Sequence, residues 1–211
     1  MARFNASPNC GERRNGLTPS LIVIHYTAMQ SAQAALERLC APEAEVSAHY
    51  LIDLGGDVTQ LVEEAQRAWH AGAGEWQGYD DINSRSIGIE LDNRGNHPFP
   101  EPQMVALETL MRGIMARWDI PASGVIGHSC MAPGRKFDPG PRFDWARLER
   151  QGLAEGPQSY ETDEQDQEAF VSAAQAAGFT APADFDALLH STRLRRAPWR
   201  KGPLQAADFM L

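Results

Sequence analysis

The sequence predicts a mixed α/β protein: a central sheet flanked by helices, with a small helical C-terminal extension. Three observations predict it. Strand-like and helix-like segments interleave along the first two thirds of the chain. One strand pair flanks a Gly-Gly step and reads as an antiparallel hairpin. Two further strand-like runs are apolar enough to lie inside a covered sheet.

The elements follow in order. Ser20 to Tyr26 (SLIVIHY) is a short, β-branched apolar run, the pattern of a strand buried on both faces. Ser31 to Cys40 is rich in Ala and Leu and lacks Pro and Gly, so it favours helix. Ala48 to Leu54 and Asp57 to Val62 flank Gly55-Gly56, a hairpin signal. Ser86 to Asp92 (SIGIELD) alternates, with Ile87, Ile89 and Leu91 on one face and Gly88, Glu90 and Asp92 on the other. Behind the turn HPFPEP, Gln103 to Trp118 carries an apolar stripe of Met104, Leu107, Met111, Ile114 and Trp118 at helical spacing. Gly124 to Ile126 is a short strand leading to His128, and a Gly/Pro-rich loop runs on through Pro141. Residues 152–163 turn polar and acidic, as a linker does. Beyond them Gln165 to Gly178 and Ala183 to Leu189 favour helix. The expected organisation is a domain over 1–151, a linker over 152–163 and a small helical region over 164–211.

Composition narrows the function. The 211 residues are 43% hydrophobic and carry a net charge of -9. That is enough apolar matter for a core, and the acidic balance disfavours nucleic acid as a partner, because such binding rests on phosphate neutralisation. A local pair such as Arg135-Lys136 can still meet an acidic ligand. Cys10, Cys40 and Cys130 make an odd, small set and no disulfide framework. The N-terminal MARFNASPNCGERRNG has no apolar run of a secretory signal, and no stretch reaches the ~20 apolar residues of a membrane span. The expected compartment is the cytoplasm, or the periplasm if a signal segment has been removed.

Three polar residues stand out by their placement. His25 ends one apolar strand, His128 follows another, and Asp138 lies in the rigid loop beyond it. Two imidazoles and a carboxylate form the open ligand set of a catalytic zinc, in which water takes the fourth position. The spacing alone is generic, and no compact HExxH-type motif accompanies it.

The surroundings are more specific. GHSCMAPGRKFDPG, from Gly127 to Gly140, resembles the signature loop of bacterial N-acetylmuramoyl-L-alanine amidases of the AmpD and AmiD type. This family also takes in peptidoglycan recognition proteins. IVIHYTA, SAHYLIDLGGDVTQLV, AWHAG and NSRSIGIELDN resemble, in the same order, the family's first histidine strand, hairpin, substrate-side turn and glutamate strand. Together they cover Leu17 to Trp145. The resemblance implies that His25, His128 and Asp138 bind zinc and that Glu90 and Lys136 serve the chemistry. Glu90 would be general base and then acid, and Lys136 a cation for the oxyanion. Trp69, His70 and Gly72 resemble the turn beside the family's glycan groove, with a buried aromatic and a structural His as the competing reading; Trp69, His70 and the basic Arg135 are the expected substrate-binding residues. Gly88 beside Glu90 is read as leaving room for substrate.

Cys130 departs from the family pattern, which often has Asp there, and is expected to be a packed thiol. The implied reaction is hydrolysis of the amide between N-acetylmuramic acid and L-alanine, in peptidoglycan or muropeptides. Soluble 1,6-anhydro-muropeptides are expected to be preferred to whole sacculi, and no obligate protein partner is evident. A non-catalytic peptidoglycan-binding protein of the same fold is the alternative, and a structural zinc protein a third, although such sites usually have four ligands. The tail is faintly similar to a helical peptidoglycan-binding module. A helical extension packed on the main domain is the competing reading.

Overall fold

The structure, a computed structural model, describes residues 2–160 and 166–211. The strands are β1 (Arg3–Phe4), β2 (Cys10–Gly11), β3 (Leu21–Tyr26), β4 (Tyr50–Ile52), β5 (Val58–Gln60), β6 (Arg67–Ala68), β7 (Ser86–Leu91) and β8 (Val125–Gly127). The helices are α1 (Ala32–Cys40), α2 (Ile82–Arg85), α3 (Glu101–Trp118), α4 (His128–Met131), α5 (Trp145–Arg150), α6 (Gln167–Ala176) and α7 (Phe185–Arg196). Six strands form one sheet in the order β1-β5-β4-β7-β3-β8, and β2 pairs with β6 in a separate ribbon. β3 lies between β7 and β8 and is parallel to both. β4 and β5 form the antiparallel hairpin anticipated across Gly55-Gly56. Gly56 sits at φ 88°, and a Cβ there would lie 2.6 Å from the Pro102 carbonyl oxygen, so both conformation and space call for glycine.

Side-chain alternation divides the sheet into two faces. Ile22, Ile24, Tyr50, Ile52, Ile87, Ile89 and Leu91 pack on Met104, Leu107, Met111 and Ile114 of α3. This is the stripe read from the sequence, with Trp118 at its partly buried margin. Each fully buried Ile or Leu there contributes roughly 1.5–3 kcal/mol. On the opposite face Leu21 and Val23 join Ile126, Cys130 and Met131. Ser31 caps α1 by accepting a hydrogen bond from the Ala34 N–H at 3.2 Å.

The C-terminal helices share this second core. Phe170, Ala174, Phe179, Leu188 and Phe209 pack with Trp76, Ile126 and Met131. Ser191 Oγ donates to the Ser129 carbonyl at 2.5 Å, and the Arg195 guanidinium stacks on Trp145 at 3.6 Å. The segment read as a linker is packed over its described part: Leu153 and Ala154 are buried in the main core, and Gln158 exchanges backbone hydrogen bonds with Leu211. The rest of that stretch, and the expected helix start at Gln165, lie outside the described residues. α7 runs to Arg196, seven residues beyond the sequence reading. Its second half looks too charged for a buried helix, yet Arg193 is buried because Asp208 pairs with it at 2.6 Å. No helix among the described residues is long and apolar enough to cross a membrane.

Candidate metal and catalytic site

The parallel register places His25 opposite Glu90 across β3 and β7, and pairs Ile24 with Gly127, one residue before His128. Side chains two apart on a strand share a face. His25 therefore projects from the side of the sheet that carries Val23, and Glu90 from the side of Gly88, which is the same side. The loop after α4 returns Asp138 to this point, where the Ser129 N–H donates to the Asp138 carbonyl at 3.0 Å.

Three atoms converge there. His25 Nδ1 lies 2.9 Å from His128 Nδ1 and 2.9 Å from Asp138 Oδ2, and His128 Nδ1 lies 3.0 Å from the same oxygen. Among the described residues, these three form the group whose ligand atoms all lie within 4.8 Å of one another, and all three are buried. The far side of each ring is occupied. His128 Nε2 is 2.8 Å from the Ala71 carbonyl, which only accepts, so this nitrogen carries the proton. His25 Nε2 is 3.0 Å from His70 Nδ1, and His70 Nε2 is 3.1 Å from Ser86 Oγ. Ser86 donates its own proton to the Ile82 carbonyl at 2.6 Å and so accepts from His70. The chain of donors then runs His25 Nε2–H to His70 Nδ1, and His70 Nε2–H to Ser86.

With one proton on each ring, both Nδ1 atoms are bare lone pairs directed at a carboxylate. Three electron-pair donors with no proton among them repel one another unless a cation lies between. This donor set can hold a metal ion.

The electrostatics agree. Burial, followed by the neighbouring His128, pushes His25 down to about 4, so its ring is neutral. Burial alone would raise Asp138, but the adjoining His128 and His25 rings hold it well below the usual carboxylate range, so it is present as the carboxylate. Glu90 is pushed up to about 8, first by burial and then by the charge of Asp138, with Lys136 opposing. Its Oε2 is a buried atom without a hydrogen-bond partner among the described residues, an acceptor left free at the site.

A groove of about 370 Å³ opens over this cluster. Glu90, Lys136, Trp69, His70 and Arg135 all line it, together with the three ligand candidates. Two of the expected substrate-side residues have protein partners as well. His70 bonds to His25 and Ser86. Arg135 Nη2 donates to the Ala71 carbonyl at 2.7 Å and also to Ala73, tying the 71–73 turn to the Asp138 loop. The space at Gly88, read as room for substrate, is taken by the His70 ring: a Cβ there would lie 2.4 Å from His70 Cγ. Cys130 is 1% exposed, and burial pushes its thiol up. It lies outside the three-atom group, packed as expected. The three cysteines are free.

Sequence reasoning did not find Ser86 or Asn83. Asn83 Oδ1 accepts from the backbone N–H of both His70 (3.0 Å) and Ala71 (2.8 Å). Nothing local in NSRSIG signals those partners, which lie 12 and 13 residues away.

Comparison with known proteins agrees with this geometry. The family model described as N-acetylmuramoyl-L-alanine amidase matches residues 15–141. The chain is 40% identical over 155 residues to the N-acetylmuramoyl-L-alanine amidase AmiD of Escherichia coli, covering 65% of this chain and 54% of AmiD, so it spans about half the length of that relative. It is 36% identical over 159 residues to the 1,6-anhydro-N-acetylmuramyl-L-alanine amidase AmpD of Haemophilus influenzae, covering 67% of this chain and 86% of that one. The solved structure of Escherichia coli AmiD, in complex with the substrate anhydro-N-acetylmuramic acid-L-Ala-D-gamma-Glu-L-Lys, is similar with a TM-score of 0.81 at 28% identity. That similarity covers 97% of this chain and 87% of AmiD's, and so takes in the C-terminal helices. The matched family segment covers more than half of the chain and contains every residue that meets at the ends of β3, β7 and β8, and on that ground the chain belongs to the N-acetylmuramoyl-L-alanine amidase family.

Proposed function

We propose that the chain is a zinc-dependent amidase that hydrolyses the bond between N-acetylmuramic acid and L-alanine, with muropeptides as substrates. The observation that carries this reading is the convergence of two Nδ1 atoms and a carboxylate oxygen at the floor of an open groove. Two nitrogens and one oxygen, with a fourth position left open, suit catalytic zinc rather than a closed structural site. His25, His128 and Asp138 would hold the ion. When bound there, zinc supplies Lewis acidity, polarising the scissile carbonyl and acidifying water.

The remaining steps belong to the chain's own residues. Glu90 takes a proton from the attacking water as the water oxygen bonds to the amide carbon. As the C–N bond breaks, Glu90 returns that proton to the L-alanine nitrogen; the second proton of the water passes from the new carboxyl to the amine, leaving a muramic acid carboxylate and an ammonium group. Burial raises this carboxyl in the metal-free protein, and a dication beside it would favour the ionised form that accepts the first proton. Lys136 supplies a cation for the carbonyl oxygen as it gains negative charge. Trp69 offers an apolar wall to the glycan or stem.

The names and ligand of the relatives also support a soluble 1,6-anhydro-muropeptide as the preferred substrate. The deciding experiment incubates the whole chain with zinc and an anhydro-muramyl tripeptide, with intact sacculi in parallel, and follows products by mass spectrometry. The expected products are anhydro-N-acetylmuramic acid and a tripeptide with a free L-alanine N-terminus, formed faster from the soluble substrate. Tight binding without cleavage would move the chain to the non-catalytic, peptidoglycan-binding reading.

A further inference from the structure

We infer that His70 and Asn83 are positioning residues of the metal site: residues 70–71 form a strap that dictates which nitrogen of each ligand imidazole is free, and Asn83 holds the strap. The inference rests on the proposed ligand role of His25 and His128.

Both imidazoles are addressed from two consecutive residues. The His70 side chain takes the Nε2–H of His25 at 3.0 Å, and the next residue's carbonyl, Ala71 O, takes the Nε2–H of His128 at 2.8 Å. Each contact removes one nitrogen from competition and leaves Nδ1 bare. A ring without such a partner is free to place its proton on Nδ1 and lose its affinity for a cation, or to turn away.

The strap is held from both sides. A single oxygen, Asn83 Oδ1, accepts from the N–H of His70 and of Ala71 at 3.0 and 2.8 Å, and Asn83 is 7% exposed. On the other side Arg135 Nη2 donates to the same Ala71 carbonyl that His128 uses. The His70 ring is held in turn by Ser86 Oγ, and it rests against the bare backbone of Gly88. Sheet, α2 and the 131–138 loop thus converge on two residues that need never touch the metal. Asn83 acts only as an acceptor in these two bonds, so a carboxylate of the same shape can replace it. His70 serves His25 through one acceptor atom, which the amide oxygen of Asn can supply from nearly the same place.

The test measures zinc affinity of the full chain by competition with a chromophoric chelator. In parallel, ¹⁵N NMR of the metal-free protein reads which ring nitrogen of His25 and His128 is protonated. His70→Leu and Asn83→Leu are expected to weaken zinc binding by about 10–100-fold, the usual scale for outer partners of metal ligands. His70→Leu is also expected to shift His25 from a single Nε2–H form to a mixture. His70→Asn and Asn83→Asp should restore most of the affinity.

Affinity within about threefold of wild type in both leucine variants, with His25 still protonated only at Nε2, would overturn the inference. So would a loss in His70→Asn and Asn83→Asp as large as in the leucine variants, because a general packing defect would then be the cause. Should the wild-type chain bind no zinc, the proposed function fails, while the ¹⁵N pattern still decides whether the strap sets the tautomers.

Discussion

Successive residues of β7 face opposite sides of one sheet and meet opposite demands. Ile87, Ile89 and Leu91 are fully buried against α3, in a core where many apolar contacts share the load. Ser86, Gly88 and Glu90, one step away each, face the His cluster, and there each has a separate task. Ser86 fixes the His70 proton, Gly88 admits the His70 ring, and Glu90 keeps an unpartnered oxygen beside the ligand atoms. On the first face identity matters through volume and polarity. On the second it matters through which atom donates and which accepts. The two faces should therefore fail differently when altered.

The largest effect is expected at the ligands. His25→Ala, His128→Ala and Asp138→Ala should each abolish both metal retention and turnover, measured as zinc per chain by elemental analysis and as product by mass spectrometry. Cys130→Ala should retain the metal. If it lost zinc while Asp138→Ala kept it, the assignment of the third ligand would be wrong.

Next comes Glu90, on the same face. Glu90→Gln should keep zinc and lose about 100-fold or more in turnover, the scale of general acid-base catalysis. Lys136→Ala should lower kcat while sparing the metal, since a partner of the developing oxyanion acts mainly in the transition state. Near-normal rates in either variant would remove that residue from the mechanism.

The apolar face should show the converse. Ile89→Ala leaves a cavity beside α3 and should lower the unfolding free energy by about 2–5 kcal/mol. Zinc content and kcat of the folded fraction should stay close to wild type. A large loss of zinc in this variant would break the division between the faces.

The last effect is a pH dependence of the metal-free protein. Glu90 is raised from 4.5 to about 8 in the fold, so between those values the native state holds a proton that the unfolded chain releases. That term reduces stability as pH rises through the window. His25 is lowered from 6.5 to about 4 and acts in the opposite sense, since its contribution is lost as pH falls below 6.5. Comparing urea midpoints of wild type and Glu90→Gln isolates the first term. The variant should gain relative stability steadily from pH 4.5 to 8, and a flat difference would mean that Glu90 titrates as it does in water.

Much of the candidate site was legible before the structure, because residues that local pattern marks only generically fall within segments that resemble the amidase family. His25 and His128 stand at the ends of apolar runs, and Glu90 interrupts an alternating strand on its polar side. The two-residue strands β1, β2 and β6 carry no periodicity long enough to read, and α2 and α4 are single turns. The function of Gly88 was misread for the same reason. A glycine announces close approach but not what approaches.

By itself the sequence determined the interleaved elements, the α3 stripe and the hairpin, since each depends on residues within a turn or a strand of one another, while the candidate ligands were singled out by the family resemblance. Tertiary structure alone decided the rest. The order β7-β3-β8 brings His25 to His128 and Asp138, 103 and 113 residues away, and sets Glu90 beside them. It also makes His70, which lines the groove, a partner of His25, and gives Asn83 two backbone donors to hold. The C-terminal helices join the core behind His128, with Arg193 buried only because Asp208 meets it. Strand order and proton placement are properties of contacts distant in the chain, and no local period encodes them.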